Sequence, residues 1–302
     1  MLSFIQKRIK QQRDELDIWA KERDKFFEVP DDIEMTRDIS YLFDGDKHHT
    51  LDVFKPKNYK SKLPVIINIH GGGLLMGNKS QNKGFNIWLC KQGFLVYSVE
   101  YNLVPNVTVQ GQMKEINYAM VYIRSHLRLN DGDIDKVCVV GDSAGAFLAV
   151  YCTAMQNNNR LAKSFGIVPA KLDIKALGLQ SGMFYTTKFD SIGLFLPKTL
   201  YGKDYKKKMF AKYLNPEHEG VIYNLPPTYL MTSESDNLKR YTLWFKNALA
   251  SNNIYYEFEC YPKSKNMPHA FSALYPEREE SIVANKEMIQ FFKRIFGHIR
   301  DD

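Results

Sequence analysis

Cysteine is scarce: four in 302 residues, Cys90, Cys138, Cys152 and Cys260, with no C-x-x-C pair. They fall singly inside predicted helices and strands, which argues against a disulfide framework or thiolate metal site and for small core residues in a reducing compartment. No apolar run approaches the ~20 residues needed to cross a bilayer. Met1 to Arg13 is charged throughout and lacks the apolar stretch of a signal peptide. A soluble, cytoplasmic protein without stable membrane insertion is expected. No nucleic-acid motif accompanies the net charge of +7. That charge is spread along the chain except at Lys203 and Lys206-Lys207-Lys208. It reads as a solvated basic surface with no nucleic-acid partner, attraction to acidic polymers or anionic membranes being the alternative. His48-His49 has no partners at ligand spacing, so no metal is expected. No repeat, linker or low-complexity tract divides the chain, and residues 1–302 read as one domain.

Two glycine-rich stretches stand out, His70-Gly71-Gly72-Gly73 and Gly141-Asp142-Ser143-Ala144-Gly145. Each closes an apolar, β-branched run, Pro64 to Ile69 and Lys136 to Val140, of the kind that forms buried parallel strands. Residues after Ser143 read as a helix. A serine at a strand–turn–helix corner between glycines has the pattern G-x-S-x-G of a nucleophile elbow, whose strained turn lifts the hydroxyl clear of the sheet. A chance match is common; the second glycine motif, also closing a strand, makes coincidence a poor explanation.

Residues 1–30 read as an amphipathic helix carrying Leu2, Ile5, Ile9, Leu16 and Trp19, packed on the domain or part of a lid, with a membrane-surface anchor as a third reading. A strand near Ile39-Phe43, a turn at Asp44-Gly45-Asp46 and the strand Leu51-Phe54 suggest a hairpin. From Leu63 onward strands and helices alternate, which predicts a parallel sheet with helices on both faces. One helix places Met113, Ile116, Met120, Ile123 and Leu127 on a single face. The stretch 182–224 is aromatic, Lys-rich and turn-prone, and reads as an insertion serving as packing or as a substrate cap. Strands Ala176-Gln180, Thr228-Thr232 and Tyr255-Tyr261 follow the same rhythm, and a last helix presents Met288, Phe292, Ile295, Phe296 and Ile299. An exposed last strand would allow two copies to pair as a homodimer.

A serine hydroxyl needs a base, and the base an orienting carboxylate. Three histidines follow Ser143: His218 in the insertion, His298 in the last helical turn, and His269 on a loop after the strand ending at Tyr261. His269 has the right place in the order serine, acid, histidine. After Thr228-Thr232 the carboxylates are Glu234 and Asp236, the latter also placed to cap the next helix.

From roughly Asp52 to Phe292 the chain resembles the hormone-sensitive-lipase-like carboxylesterases of the α/β-hydrolase fold. The matching pieces are His70-Gly71-Gly72-Gly73, Tyr101-Asn102-Leu103-Val104-Pro105, Gly141-Asp142-Ser143-Ala144-Gly145, Pro227 through Asp236-Asn237-Leu238, and His269-Ala270-Phe271. Asn102 stands where the group has Arg, Ala146, Ser233 and Ala270 where it has Gly, and Asn237 where it has Pro. The resemblance implies a mostly parallel eight-stranded sheet, with a cap from the N-terminus and residues 182–224. It implies Ser143 as nucleophile, Asp236 as acid and His269 as base, with no cofactor. Gly71, Gly72 and Ala144 are expected to supply oxyanion-hole N–H groups. Leu74, Leu75, Met76, Phe184, Tyr185, Phe195 and Leu196 are expected to line a pocket for a small ester, short-chain acyl with acetyl among the candidates by the group's habit. Two other activities compete: amide or peptide hydrolysis on the same fold, and a non-catalytic binding protein. Matched ester and anilide substrates separate the first, and burst release from an activated ester the second.

Overall fold

The apolar runs become the inner strands of one sheet in a computed structural model, which describes residues 2–297, with side chains from 10 onward. The strands are β1 (Ile33–Ser40), β2 (Thr50–Pro56), β3 (Leu63–Ile69), β4 (Leu95–Val99), β5 (Gly132–Asp142), β6 (Ile174–Gln180), β7 (Thr228–Ser233) and β8 (Tyr256–Tyr261). They lie in the order β1-β2-β4-β3-β5-β6-β7-β8. The pairs β1–β2 and β2–β4 are antiparallel, and all the others are parallel. The hairpin is present, but its first strand is Ile33–Ser40, earlier than Ile39-Phe43. Its outer face is charged and exposed, which hides the alternation, and Phe43 is exposed in the turn beyond.

Strand parity sorts side chains into two cores. Val65, Ile67 and Ile69 of β3, with Val137 and Val139 of β5, enter one core. Ile66, Cys138 and Val140 enter the other. Against the first lie α3 (Val109–His126) and α4 (Ala144–Asn157). Met113, Ile116, Met120, Ile123 and Leu127 are all fully buried there. The second is closed by α2 (Lys83–Lys91) and by a last helix, Glu279–Gly297, which buries Met288, Phe292 and Phe296. Ile299 and His298 lie outside the described residues. A sheet covered on both faces explains why the inner strands read as continuous apolar runs.

The N-terminal segment is α1 (Leu2–Phe26), laid across loops at the sheet's carboxyl end. Arg13 donates to the carbonyls of Leu75 and Val104. Lys83 donates to Asp24 O, and Arg23 to Leu274 O at 2.8 Å and Glu277 at 2.9 Å. The insertion, read from sequence as irregular, is built of short helical turns. Asp190 caps Ser191–Phe195 and accepts from Tyr241 Oη at 2.6 Å. Tyr151 Oη donates to Tyr213 O at 2.6 Å. His49, of the pair that lacks ligand-spaced partners in sequence, is largely buried between Asp44, at 2.7 Å, and Glu115, at 3.5 Å. Burial opposes its charge, yet these carboxylates raise its pKa. Among the described residues no helix is long and apolar enough to cross a membrane.

Candidate active site

β5 ends at Asp142 and α4 begins at Ala144, so the whole reversal falls on Ser143, held at φ 51° and ψ −117°. Its neighbours fix this strained conformation: Ser143 N–H donates to Gln180 O and its carbonyl accepts from Met183 N–H, each at 2.9 Å. Gly145 is required because a Cβ there would stand 2.0 Å from Ile69 O. The helix therefore starts pressed against the end of β3.

Two later loops bring their side chains to this serine. His269 Nε2 lies 2.9 Å from Ser143 Oγ, and His269 Nδ1 lies 2.6 Å from Asp236 Oδ1. Asp236 Oδ1 also accepts Leu238 N–H at 2.8 Å, and its Oδ2 accepts the Thr232 hydroxyl at 2.7 Å. The carboxylate orients the imidazole but does not cap the next helix, which starts at Lys239 with Leu238 at its N-cap; Asp236 instead closes the turn that leads into it. Burial disfavours its charge, but His269, Leu238 and Thr232 together hold its carboxyl below the usual carboxylate range. An ionised Asp236 only accepts, so His269 Nδ1 carries the proton and Nε2 offers its lone pair to Ser143. The alternatives lie elsewhere: Glu234 is paired with Lys239 at 2.7 Å, and His218 accepts Gly220 N–H at 3.0 Å.

The histidine loop is stitched to the acid loop by two serines. Ser233 Oγ donates to Met267 O at 2.6 Å and Ser235 Oγ to Ser264 O at 2.9 Å. Ser233 thus finds a use for its hydroxyl where the related group carries Gly. Ala270, another departure, occupies left-handed space at φ 54°, and its N–H donates to Ser181 Oγ at 3.0 Å.

The first glycine motif needs correction. Gly71 N–H is committed to Asp142 Oδ1 at 3.1 Å, so it is not free for a substrate oxygen. Gly72 and Gly73 N–H have no partner among the described residues, nor has Ala144 N–H in the first turn of α4. The open donors are therefore those of Gly72, Gly73 and Ala144. The Gly72 requirement is a tight turn rather than substrate clearance: at φ +115°, a Cβ would lie 1.9 Å from Met76 O. A Cβ at Gly73 would meet open space, as expected beside a binding cleft.

Several residues holding this loop escaped the sequence reading. Asp142 also accepts from Asn82 at 2.8 Å, and burial pushes its carboxyl up. Tyr101 Oη donates to His70 O at 2.6 Å and its ring stacks on His70 at 4.3 Å. His70 Nε2 stands 3.3 Å from buried Glu100, whose carboxylate accepts Lys79 N–H at 2.9 Å. Gln112 donates to Leu74 O at 3.0 Å. Only Asp142 and Tyr101 carried a signal, by lying inside quoted motifs.

The expected pocket residues do not form one wall. Leu74 and Phe184 have no exposed surface, and Phe184 is stacked on Phe245 at 4.3 Å. Tyr185 is buried edge-on against Tyr241 and Trp244. Leu75 is buried, Met76 and Leu196 are partly buried against the same core. Phe195 is 76% exposed and lines a hollow with lysines and none of the three site residues.

Comparison with known proteins follows the same lines. Esterase B from Lactobacillus rhamnosis, in a crystal structure with a C4-C4 tributyrin phosphonate, superposes with a TM-score of 0.89 at 24% identity, covering 97% of this chain and 96% of that one. The hyperthermophilic esterase of Pyrobaculum calidifontis gives 0.74 at 19% identity, covering 95% and 93%. A probable isoprenylcysteine alpha-carbonyl methylesterase of Arabidopsis thaliana is 22% identical over 65% of this chain and 43% of its own length. A putative alpha/beta hydrolase of Acanthamoeba polyphaga mimivirus is 25% identical over 68% and 60%. The chain thus spans about half the length of these two curated relatives. Residues 51–242 match the family described as BD-FAE, and the chain belongs to that family.

Proposed function

We propose that this protein is a serine carboxylesterase that hydrolyses short-chain acyl esters through an acyl-enzyme. The observation that carries the reading is the unbroken chain from Ser143 Oγ through His269 to Asp236, at 2.9 and 2.6 Å. Beside it lie the free N–H groups of Gly72, Gly73 and Ala144. The esterases among the related proteins support the same reaction class.

In the proposed cycle Ser143 Oγ attacks the ester carbonyl while its proton passes to His269 Nε2. Asp236 holds the imidazole in the accepting tautomer and stabilises the imidazolium. The oxygen that gains charge is met by the three N–H groups, already fixed by the turn at Gly72 and the start of α4, so little reorganisation is needed. His269 then returns the proton to the leaving alcohol as the C–O bond breaks. Water, deprotonated by the same histidine, attacks the acyl-enzyme and frees the acid and Ser143.

The preference for short acyl groups is supported by the tributyrin phosphonate on the related esterase B and by the density of buried side chains behind the elbow. Three buried, unpaired cysteines suit a reducing compartment, and the proposal places the protein in the cytoplasm. A p-nitrophenyl ester series of rising acyl length, run beside the matching anilides, tests the reading. Esters from acetyl to hexanoyl should turn over fastest. A preference for ten or more carbons would refute the acyl range, and faster anilide cleavage would refute the reaction class.

A further inference from the structure

We propose that the outer face of the 182–224 insertion docks on an anionic lipid surface. The inference goes beyond the esterase reading and stands on different residues. Four large apolar side chains are presented to solvent here: Phe189 at 93% exposure, Leu194 at 54%, Phe195 at 76% and Met209 at 70%. The helical turn Ser191–Phe195 has no buried residue at all. Ile192 of this turn packs partly against the core, whereas Leu194 and Phe195 face outward and contribute little to it. Scattered exposed apolar residues are ordinary, but this set is confined to one short segment.

The same segment holds the chain's densest positive charge. Leu194 and Phe195 share a hollow of about 540 Å³ with Lys198, Lys203, Lys206 and Lys207. Asp204 is its single acid, 3.7 Å from Lys207. Lys203, Lys206 and Lys208 have no carboxylate partner among the described residues. Lysines interleaved with phenylalanine and leucine fit a lipid interface, where headgroups meet the cations and the upper acyl region takes the apolar side chains. A polyanion such as nucleic acid would use the lysines and leave Leu194 and Phe195 in water. The segment is anchored close to the site, because Met183 bonds Ser143 O and Asp190 bonds Tyr241 in the helix following Asp236. Docking would bring the candidate site to esters dissolved in a membrane.

The test is vesicle flotation of the full chain with phosphatidylcholine alone and with phosphatidylserine added. Binding should require phosphatidylserine and weaken as salt rises. Each lysine charge lost near an anionic leaflet weakens partitioning about fivefold. The triple variant Lys203→Glu, Lys206→Glu, Lys207→Glu should therefore bind at least tenfold more weakly. It should keep its circular dichroism and its turnover of a soluble ester. Leu194→Ser with Phe195→Ser should also reduce binding while retaining the lysines. Failure of the native protein to float, equal flotation on phosphatidylcholine alone, or no effect of the triple variant would overturn the proposal. So would a serine pair that leaves binding intact, which marks plain polyanion attraction, or one that converts a dimer to monomer, which marks a face between two copies. Flotation is read without any substrate, so its failure is distinct from a failure of the esterase reading.

Discussion

At residue scale, Asp236 does the most with one side chain, since its carboxylate binds His269 Nδ1, Leu238 N–H and the Thr232 hydroxyl. Asp236→Asn can still accept Leu238 N–H but no longer selects the imidazole tautomer. It should lower kcat by about 10³–10⁴ with circular dichroism unchanged. Because the folded-state pKa is lowered, the carboxylate's stabilising contribution is present above the ordinary carboxylate range and is lost as pH falls through the lowered value. Urea midpoints of native protein and variant should thus differ steadily near neutrality and converge in acid. Gly72→Ala forces a Cβ to within 1.9 Å of Met76 O, so the turn must move and take the Gly72 and Gly73 N–H groups with it. Losing one such donor costs about 10²–10³ in kcat. Unchanged kcat in this variant would remove Gly72 and Gly73 from the oxyanion hole.

At the scale of elements, the candidate site is a meeting of loops, each tied down from outside. Arg13 of α1 donates to Leu75 O and Val104 O, so the N-terminal helix clamps the glycine loop by its own backbone. Arg13→Ala should cost about 1–2 kcal/mol in urea unfolding, since hydrogen bonds to a charged group are worth more than neutral ones and this one is partly screened. It should also raise KM as the loop loosens. A variant with native stability and KM would make α1 a bystander. Much of this scale was legible in the sequence. The strand before His70 and the elbow strand are apolar because the sheet is covered on both faces, and the stripe from Met113 to Leu127 is apolar because that side of its helix packs on the sheet. The limit of β1 was not legible, since an edge strand rich in Glu34, Arg37 and Asp38 carries little apolar signal. The clamp on His70 was not legible either. Tyr101 lies in a quoted motif, but Glu100 beside His70 and Gln112 beneath Leu74 carried no signal, and only the folded chain brings them under one loop. Gly71 was misassigned for the same reason: its partner Asp142 sits in the other glycine motif, across the β3–β5 pairing.

At the scale of the whole molecule, the two cores and the sheet between them isolate the thiols. Cys90, Cys138 and Cys152 are buried, and burial pushes the Cys90 thiol up to about 12. Cys260 is partly exposed on β8. Thiol titration should therefore find at most Cys260 in the native state and all four cysteines in denaturant. Two or more fast thiols in the native state would contradict the burial. The same arrangement accounts for the site: parallel strands β3, β5, β6, β7 and β8 deliver their loops to one edge, where side chains 126 residues apart meet. Mass spectrometry after reaction with a fluorophosphonate tests that convergence most directly. A single phosphonyl adduct on the peptide bearing Ser143, absent from Ser143→Ala and slowed in His269→Ala, is the expected result. An adduct on another residue, or equal labelling of Ser143→Ala, would contradict it.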